Sequence, residues 1–125
     1  MTLHRPSSGM SIMIVEDEPL IRFNLVDFFE DAGFAVFEAE HAEAAIAVLR
    51  GDATIRVVIT DVDMPGSMDG LKLAHYIRDR YPPTMLFVTS GAVRLTAEDM
   101  PADTYFLPKP FDPHGLLQTI ERLAG

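Results

Sequence analysis

Carboxylate side chains follow two β-branched runs of the sequence. Glu16 and Asp17 come directly after the run Met10–Val15, and Asp61 comes directly after Arg56–Thr60. Three carboxylates brought together would repel one another and raise each other's pKa unless a cation balanced them. Magnesium prefers oxygen ligands, and it keeps waters and a phosphate oxygen in its octahedron beside one or two carboxylates. We therefore predict a magnesium site if the fold brings the ends of these two runs together.

Side chains suited to bind a phosphoryl group follow two later runs. The run Thr84–Ser90 ends in a hydroxyl and is followed by Gly91, and Lys109 lies between two prolines after Thr104–Pro108. A lysine and a metal ion neutralise phosphoryl charge, the Ser90 hydroxyl donates a hydrogen bond, and the glycine leaves room beside it. Because aspartyl-phosphate formation is a known covalent strategy, we expect the nucleophile to be a carboxylate.

Short apolar runs alternate with helical segments along the chain. The runs are Met10–Val15, Ala35–Ala39, Arg56–Thr60, Thr84–Ser90 and Thr104–Pro108. Alternation of this kind predicts an α/β fold, with an open parallel sheet and helices on both faces. The expected strand order is 2-1-3-4-5, and ligands bind beyond the carboxyl ends of strands at the switch point between strands one and three.

Helix boundaries are predicted from capping and breaking residues. Gly33 is placed to end the first helix, and Asp69 and Asp112 are expected as the N-caps of later helices. The apolar stripe of the last helix predicts that four residues face inward, namely Leu116, Leu117, Ile120 and Leu123.

Some charged residues are expected to interact favourably with the dipoles of nearby helices. Glu38 and Glu40 are expected as favourable charge near a helix N-terminus, and Arg78 as favourable charge near a helix C-terminus. The segment Ala92–Asp103 is acidic and contains Pro101. We therefore expect only a short or irregular helix between the fourth and fifth strands.

The composition indicates a single domain without disulfides. The chain has 125 residues, no cysteine and a net charge of −9. Residues 1–9 are predicted to form a flexible arm and residues 10–125 the domain. The absence of cysteine excludes thiolate metal sites and fits a cytoplasmic protein. No apolar run approaches the ~20 residues of a membrane span, and the negative charge opposes binding to nucleic acid.

Four short motifs in order resemble those of bacterial response-regulator receiver domains of the single-domain, stand-alone type. They are VEDE, TDVDMPG followed by MDG, TSG, and PKP, and each follows a predicted strand. The resemblance covers Ser11–Leu123 and implies a flavodoxin-like receiver fold. It also implies a part in a two-component phosphorelay.

The resemblance implies a role for each residue of the acidic site. Asp61 would accept a phosphoryl group from a histidine kinase or a histidine phosphotransfer protein. Asp17, Asp61 and the backbone carbonyl of Asp63 would bind Mg²⁺ or Mn²⁺ directly, and Glu16 would bind it through a water. Lys109 would pair with Asp61 and later with the phosphoryl oxygens.

The resemblance also implies a conformational switch. Ser90 would move to meet the phosphoryl group and Phe106 would rotate inward with it, as a two-state element biased by a local charge. The Lys109–Pro110 bond is expected to be cis. The side chain of Asp63 is expected to face solvent at the mouth of the site, where it and Ala92 would tune hydrolysis.

The chain departs from the usual pattern of the family at several positions. Its acidic pair is Glu-Asp rather than Asp-Asp, and Ser90 replaces the more frequent threonine. The motif MPGSMDG has one extra residue, which is expected to lengthen the turn before the third helix and to leave Asp61 in place. The weak fourth helix makes a standard dimer through that helix doubtful.

The implied function is a signalling switch rather than an enzyme, with self-catalysed phosphotransfer and dephosphorylation. Because the chain ends soon after its last helix, we expect output through a downstream protein, a relay or a phosphate sink. A lost output domain and a phosphorylation-dependent dimer stay open. An alternative is a haloacid-dehalogenase-like phosphatase, which also forms an aspartyl phosphate on an Asp-x-Asp motif. A flavin or nucleotide binder would need a glycine-rich phosphate loop.

Overall fold

Five strands and four helices are built from the residues that the computed structural model describes, namely 10–52, 54–63, 69–92 and 94–125. In chain order the elements are β1 (Ser11–Val15), α1 (Pro19–Asp31), β2 (Ala35–Ala39), α2 (Ala42–Gly51), β3 (Ile55–Asp61), α3 (Gly70–Arg80), β4 (Met85–Ser90), β5 (Thr104–Pro108) and α4 (Pro113–Ala124). Every strand coincides with its predicted run to within one residue at each end. The predicted arm, residues 1–9, lies outside the described residues.

The strands form one parallel sheet in the predicted order β2-β1-β3-β4-β5. Strands β1, β3 and β4 lie inside the sheet and are almost entirely buried, which accounts for their nearly continuous apolar character. The switch point therefore lies where β1 and β3 pair, and the acidic residues follow these two strands.

Helices cover both faces of the sheet because successive strand residues point to opposite sides. Met13 and Val58 belong to an apolar cluster with residues of α2 and α3, whereas Ile14, Ile59 and Phe87 belong to a cluster with residues of α1 and α4. Fully burying one such side chain stabilises the fold by roughly 1.5–3 kcal/mol. These two layers hold β1 and β3 in a fixed register, and the ends of the strands are fixed with them.

Most of the predicted helix boundaries are confirmed. The Asp69 carboxylate accepts a hydrogen bond from the Lys72 N–H at 2.9 Å, and Asp112 accepts one from the His114 N–H at 3.0 Å. Gly33 adopts a φ of 100° just after α1, a conformation that favours glycine.

Among the described residues, no helix combines the length and the apolar character needed to cross a membrane.

One residue of the predicted apolar stripe of α4 is placed differently. Leu116 and Ile120 are buried and Leu117 is partly buried, but Leu123 is 42% exposed. The last turn of α4 lies beyond the apolar cluster that Leu116 and Ile120 join. The prediction that Leu123 faces inward is therefore wrong, because helical periodicity indicates the side of a helix but not where its packing partner ends.

The described segment 94–103, between β4 and β5, contains turns at 97–99 and no helix. The predicted short or irregular helix is therefore absent from these described residues, and the segment is irregular.

The segment is held by Arg78 of α3. Its guanidinium donates hydrogen bonds to backbone oxygens on both sides of β4, those of Pro82, Thr84 (2.8 Å), Ala102 (2.9 Å) and Asp103 (3.1 Å). A planar group with five N–H donors can hold several carbonyls at once.

Replacing Arg78 with alanine is expected to lower the free energy of unfolding by about 2 kcal/mol, because several carbonyls lose a charged donor. Amide hydrogen exchange in residues 94–103 is expected to accelerate more than exchange in the strands. Arg80→Ala is the matched control, since its exposed guanidinium lies 3.8 Å from Asp79 and should contribute little. Unchanged exchange of 94–103 in Arg78→Ala would contradict this account.

Candidate functional site

Three carboxylates meet at the carboxyl ends of β1 and β3. Val15 pairs with Thr60 across the two strands, so that Glu16 and Asp17 leave β1 beside Asp61 at the end of β3. Oxygen atoms of the three carboxylates all lie within 4.8 Å of one another. Glu16 and Asp61 are each 3% exposed, whereas Asp17 is exposed. Hard oxygen donors that open to solvent on one side fit a divalent cation such as Mg²⁺.

Glu16 is held at both its backbone and its side chain. Its N–H donates to the Ala39 carbonyl at 3.0 Å, which ties it to the end of β2. One carboxylate oxygen accepts from the Glu18 N–H at 3.2 Å, and the other accepts from Lys109 Nζ at 2.9 Å. The N-cap residue of α1, Glu18, makes no side-chain capping bond. Hydrogen bonds therefore fix the position of Glu16 at the edge of the site.

The sequence interpretation missed Arg22. This buried guanidinium donates to the Glu16 carbonyl at 2.8 Å and to the Glu38 carboxylate at 2.9 Å. The expectation that Glu38 acts as capping charge for a helix is therefore wrong, because Glu38 pairs with Arg22 across α1 and β2. Arg22 shares the inner face of its helix with Leu25 and Phe29, and a charged residue on that face was the signal available in the sequence.

Lys109 reaches the acidic cluster from the end of β5. Its ammonium lies 2.9 Å from Glu16 Oε1 and 3.4 Å from Asp61 Oδ2. Its backbone N–H donates to the Ser90 carbonyl at 2.9 Å, and the predicted cis Lys109–Pro110 bond is observed. The shorter contact is with Glu16, although the resemblance implied pairing with Asp61. The ammonium therefore bridges two carboxylates.

Burial and charge act in opposite directions on Glu16 and Lys109. Burial raises the pKa of Glu16 above its ordinary value, and the nearby charge of Asp61 adds to the rise, while the hydrogen bond from Lys109 opposes it. Burial alone would lower the pKa of Lys109, but the hydrogen bond to Glu16 and the charge of Asp61 raise it. Lys109 is therefore a firmly charged ammonium, whereas burial disfavours the ionised form of Glu16.

Gly70 is a second residue that the sequence interpretation missed. It is the first residue of α3, and a Cβ atom at this position would overlap the carbonyl oxygen of Asp61. Glycine thus lets the helix start directly against the end of β3. A glycine placed after the cap residue Asp69, where it weakens a helix, was the available signal. The extra residue of the MPGSMDG turn falls within 64–68, outside the described residues.

Asp63 connects Asp61 to the end of β4. Its N–H donates to Asp61 Oδ1 at 3.1 Å, and its carboxylate accepts from the Ser90 hydroxyl at 2.8 Å and from the Gly91 N–H at 3.3 Å. Ser90 Oγ in turn accepts from the Ala92 N–H at 3.2 Å. Asp63 is exposed, as expected for a residue at the mouth of the site, and the structure adds that its side chain binds Ser90.

A cavity of about 250 Å³ adjoins the Ser90 hydroxyl, and Phe106, Arg94 and Lys109 also line it. The Phe106 ring is partly buried and packs against the apolar cluster that contains Met13 and Val58. A Cβ atom at Gly91 would lie 3.7 Å from the Lys109 Cβ, which is an ordinary contact. The expectation that Gly91 is needed to leave room is therefore not supported by the packing.

Residues 12–121 match the family described as the response regulator receiver domain. The chain belongs to this family. The prediction of a receiver domain is thereby confirmed, and these comparisons give no support to the phosphatase alternative.

Relatives with known names include regulators and a kinase. The response regulator protein FleR of Pseudomonas aeruginosa is 40% identical over 118 residues, which are 90% of this chain and 24% of FleR. The sensor kinase CckA of Brucella abortus is 31% identical over 121 residues, 94% of this chain and 13% of CckA. The receiver domain therefore spans a quarter or less of the length of these two proteins.

Solved receiver structures have the same fold. A response regulator receiver protein from Sinorhizobium medicae superposes with a TM-score of 0.84 at 27% identity, over 93% of this chain and 94% of that one. The response regulator TrrA of Thermotoga maritima was solved in complex with Mg²⁺ and BeF. It superposes with a TM-score of 0.77 at 25% identity, over 91% of this chain and 98% of the TrrA chain.

The raised pKa of Glu16 predicts a pH dependence of stability in the metal-free receiver. Because the folded state holds this proton more tightly, the added stability is complete below the unfolded value of 4.5 and is lost as the pH rises through the folded pKa. The melting temperature is therefore expected to fall over this interval. Mg²⁺ should reduce the fall because it favours the charged form.

Glu16→Gln tests the assignment of this slope to Glu16, since the amide does not titrate. The variant is expected to lose the part of the slope that lies above pH 4.5. Scanning calorimetry of both proteins between about pH 4 and 8, with and without Mg²⁺, measures it. An equal slope in the variant would assign the dependence to other groups.

Proposed function

We propose that Asp61 accepts a phosphoryl group from the phosphohistidine of a histidine kinase or a phosphotransfer protein in a Mg²⁺-dependent reaction. The observation that carries this proposal is the setting of Asp61. It is a buried carboxylate at the end of a central strand, 3.4 Å from the Lys109 ammonium and beside two further carboxylates. Receiver-family membership supports the same reading.

Neighbouring acidic residues are less suited to be the acceptor. Glu16 is engaged by Lys109 at 2.9 Å and by a backbone N–H, and Asp69 caps α3. Asp61 has one oxygen fixed by the Asp63 N–H, and the other oxygen faces the ammonium of Lys109. A carboxylate that is oriented by one oxygen and placed beside a cation by the other suits nucleophilic attack on an anionic phosphoryl group.

The donor set fits a magnesium ion, which we propose is bound by Asp17, Asp61 and the backbone carbonyl of Asp63, with Glu16 acting through a water. When bound, the ion supplies positive charge that balances both the carboxylates and the phosphoryl oxygens. Asp17 is the exposed member of the set and Asp61 a buried one, so the coordination can be completed from the solvent side.

The transfer itself is a displacement at phosphorus. An oxygen of Asp61 attacks the phosphorus atom, the bond from phosphorus to the donor histidine nitrogen breaks, and its electron pair returns to the imidazole. Lys109, already beside Asp61 Oδ2, then pairs with a phosphoryl oxygen. Water can later attack the same phosphorus, release inorganic phosphate and lose its proton to solvent, which returns the carboxylate.

We propose that the output is binding of a downstream protein rather than nucleic acid. The net charge of −9 opposes contact with a phosphate backbone. Ser90 and Phe106 border one cavity, so that movement of the hydroxyl toward Asp61 would change the space around the ring and the adjacent segment 94–103. A cytoplasmic setting is part of this proposal, and a phosphorylation-dependent dimer is the alternative output.

Asp61→Asn is expected to abolish phosphorylation because an amide is not a nucleophile at phosphorus. Mg²⁺ and a small phosphodonor such as acetyl phosphate should add one labile phosphoryl group to the wild-type receiver, visible by intact mass spectrometry. Asp69→Asn is the matched control: it makes the same chemical change at a helix cap, where asparagine caps equally well. Labelling that persists in Asp61→Asn would exclude Asp61 as the acceptor.

The proposed switch predicts where beryllofluoride, a phosphoryl mimic, perturbs the receiver. With Mg²⁺, amide NMR shifts should change at Ser90, at Phe106 and through the described part of residues 92–104. Phe106→Leu should keep the change at Ser90 and reduce the changes in 94–103, because the ring that links them is gone. Changes confined to the turn after Asp61 in the wild type would contradict propagation through Phe106.

A further inference from the structure

The hydrogen bonds of Asp63 place one carboxylate between the proposed acceptor and the end of β4. The backbone N–H of Asp63 binds Asp61 Oδ1 at 3.1 Å, and its side chain binds the Ser90 hydroxyl at 2.8 Å. Ser90 is only 2% exposed, so its hydroxyl is buried, whereas Asp63 is exposed. A residue on the surface thus determines the direction of a buried hydroxyl group.

A hydroxyl has a single proton and donates it to one strong acceptor at a time. In the structure the proton of Ser90 is directed at the Asp63 carboxylate. A phosphoryl group on Asp61 would require the same proton for its own oxygen. The two anionic acceptors therefore compete for one donor, and hydrogen bonds to charged acceptors are about twice as strong as neutral ones.

We propose that the Asp63 carboxylate is a positioning residue that holds Ser90 in its resting arrangement, so that phosphorylation must displace it before the receiver can switch. The inference rests on the proposed role of Asp61 as acceptor. It concerns the carboxylate side chain of Asp63, not the backbone carbonyl that we assign to the metal.

The same carboxylate also holds the chain that leaves β4. The Gly91 N–H donates to Asp63 at 3.3 Å, and the Ala92 N–H donates to Ser90 Oγ at 3.2 Å. Movement of the Ser90 hydroxyl away from Asp63 therefore breaks their hydrogen bond and disturbs the one that Ser90 Oγ accepts from Ala92, whereas the contact between Gly91 and Asp63 does not depend on Ser90. Asp63 thereby couples the direction of one hydroxyl to the position of the following backbone.

A second effect of Asp63 has to be separated from the first. Its negative charge would repel a phosphoryl group on Asp61 even if it never bound Ser90. Repulsion acts whether or not the hydroxyl is present, whereas competition for the hydroxyl needs Ser90. A double-mutant cycle between the two residues distinguishes the two effects.

The experiment measures the apparent affinity for beryllofluoride at saturating Mg²⁺ by NMR titration. The proteins are wild type, Asp63→Ala, Ser90→Ala and the double variant, with Asp63→Asn as a shape-matched control that keeps an acceptor oxygen but loses the charge. Mg²⁺ affinity is measured separately for each protein, so that a change in the metal site is not counted as a change in switching.

Asp63→Ala is expected to increase the affinity for beryllofluoride about tenfold in the wild-type background, because the mimic no longer competes for the hydroxyl. In the Ser90→Ala background the increase should fall below about twofold. Asp63→Asn should be intermediate. Without any ligand, Asp63→Ala should already shift the amide signals of Gly91 and Ala92.

Equal increases in both backgrounds would overturn the proposal in favour of simple charge repulsion, and no increase in either background would overturn it as well. Absence of beryllofluoride binding by the wild type would refute the proposed function of Asp61 and this inference with it. Binding by the wild type without coupling between Asp63 and Ser90 would refute the inference alone.

Discussion

Repulsion among the carboxylates at the ends of β1 and β3 is the constraint on which the rest of the structure depends. Glu16 and Asp61 are buried beside each other, and Lys109 places a cation within 3.4 Å of both. One ammonium cannot balance three carboxylates, and the pKa of Glu16 is raised, chiefly by burial and further by the charge of Asp61. A fold built only for stability would not concentrate charge in this way. The cluster therefore supports the proposed site for a divalent cation and a phosphoryl group.

The surrounding scaffold fixes the positions of these charges by holding the backbone that carries them. Arg22 binds the Glu16 carbonyl rather than its carboxylate, so it positions the turn after β1 and leaves the carboxylate for Lys109. Gly70 lets α3 begin against the Asp61 carbonyl. The apolar layers on both faces of the sheet set the register of β1 with β3. Because the backbone is held in place, the carboxylates cannot move apart to reduce their repulsion. Binding of a cation or protonation can reduce it instead.

Strand order and the convergence of the acidic residues were predictable because both follow from local patterns. A strand buried on both faces is apolar at most positions, and the residue after it lies at the edge of the sheet. The Arg22–Glu38 and Asp63–Ser90 contacts were not predictable. They depend on side-chain directions between elements 16 and 27 residues apart, and spacing in a sequence does not record those directions. Leu123 was misplaced for a related reason, since periodicity does not indicate where an apolar cluster ends.

The irregular segment between β4 and β5 changes how a signal can leave the site. A regular helix would move as one body, with its internal hydrogen bonds intact. Here, near its start, the chain that leaves β4 is held through Asp63 and Ser90, and the far end of the segment is held by Arg78 at Ala102 and Asp103. Between these attachments the His75 ring lies 3.1 Å from the Asp99 carbonyl oxygen. The part of the segment before Asp99, which has no helix among its described residues, is therefore the part that can change shape when the attachment near β4 is released. Under the proposed function, phosphorylation releases the attachment nearest Asp61 and leaves the Arg78 attachment in place. The segment would then rearrange around a fixed point on α3, and a charge change at Asp61 would become a change in the shape of the surface.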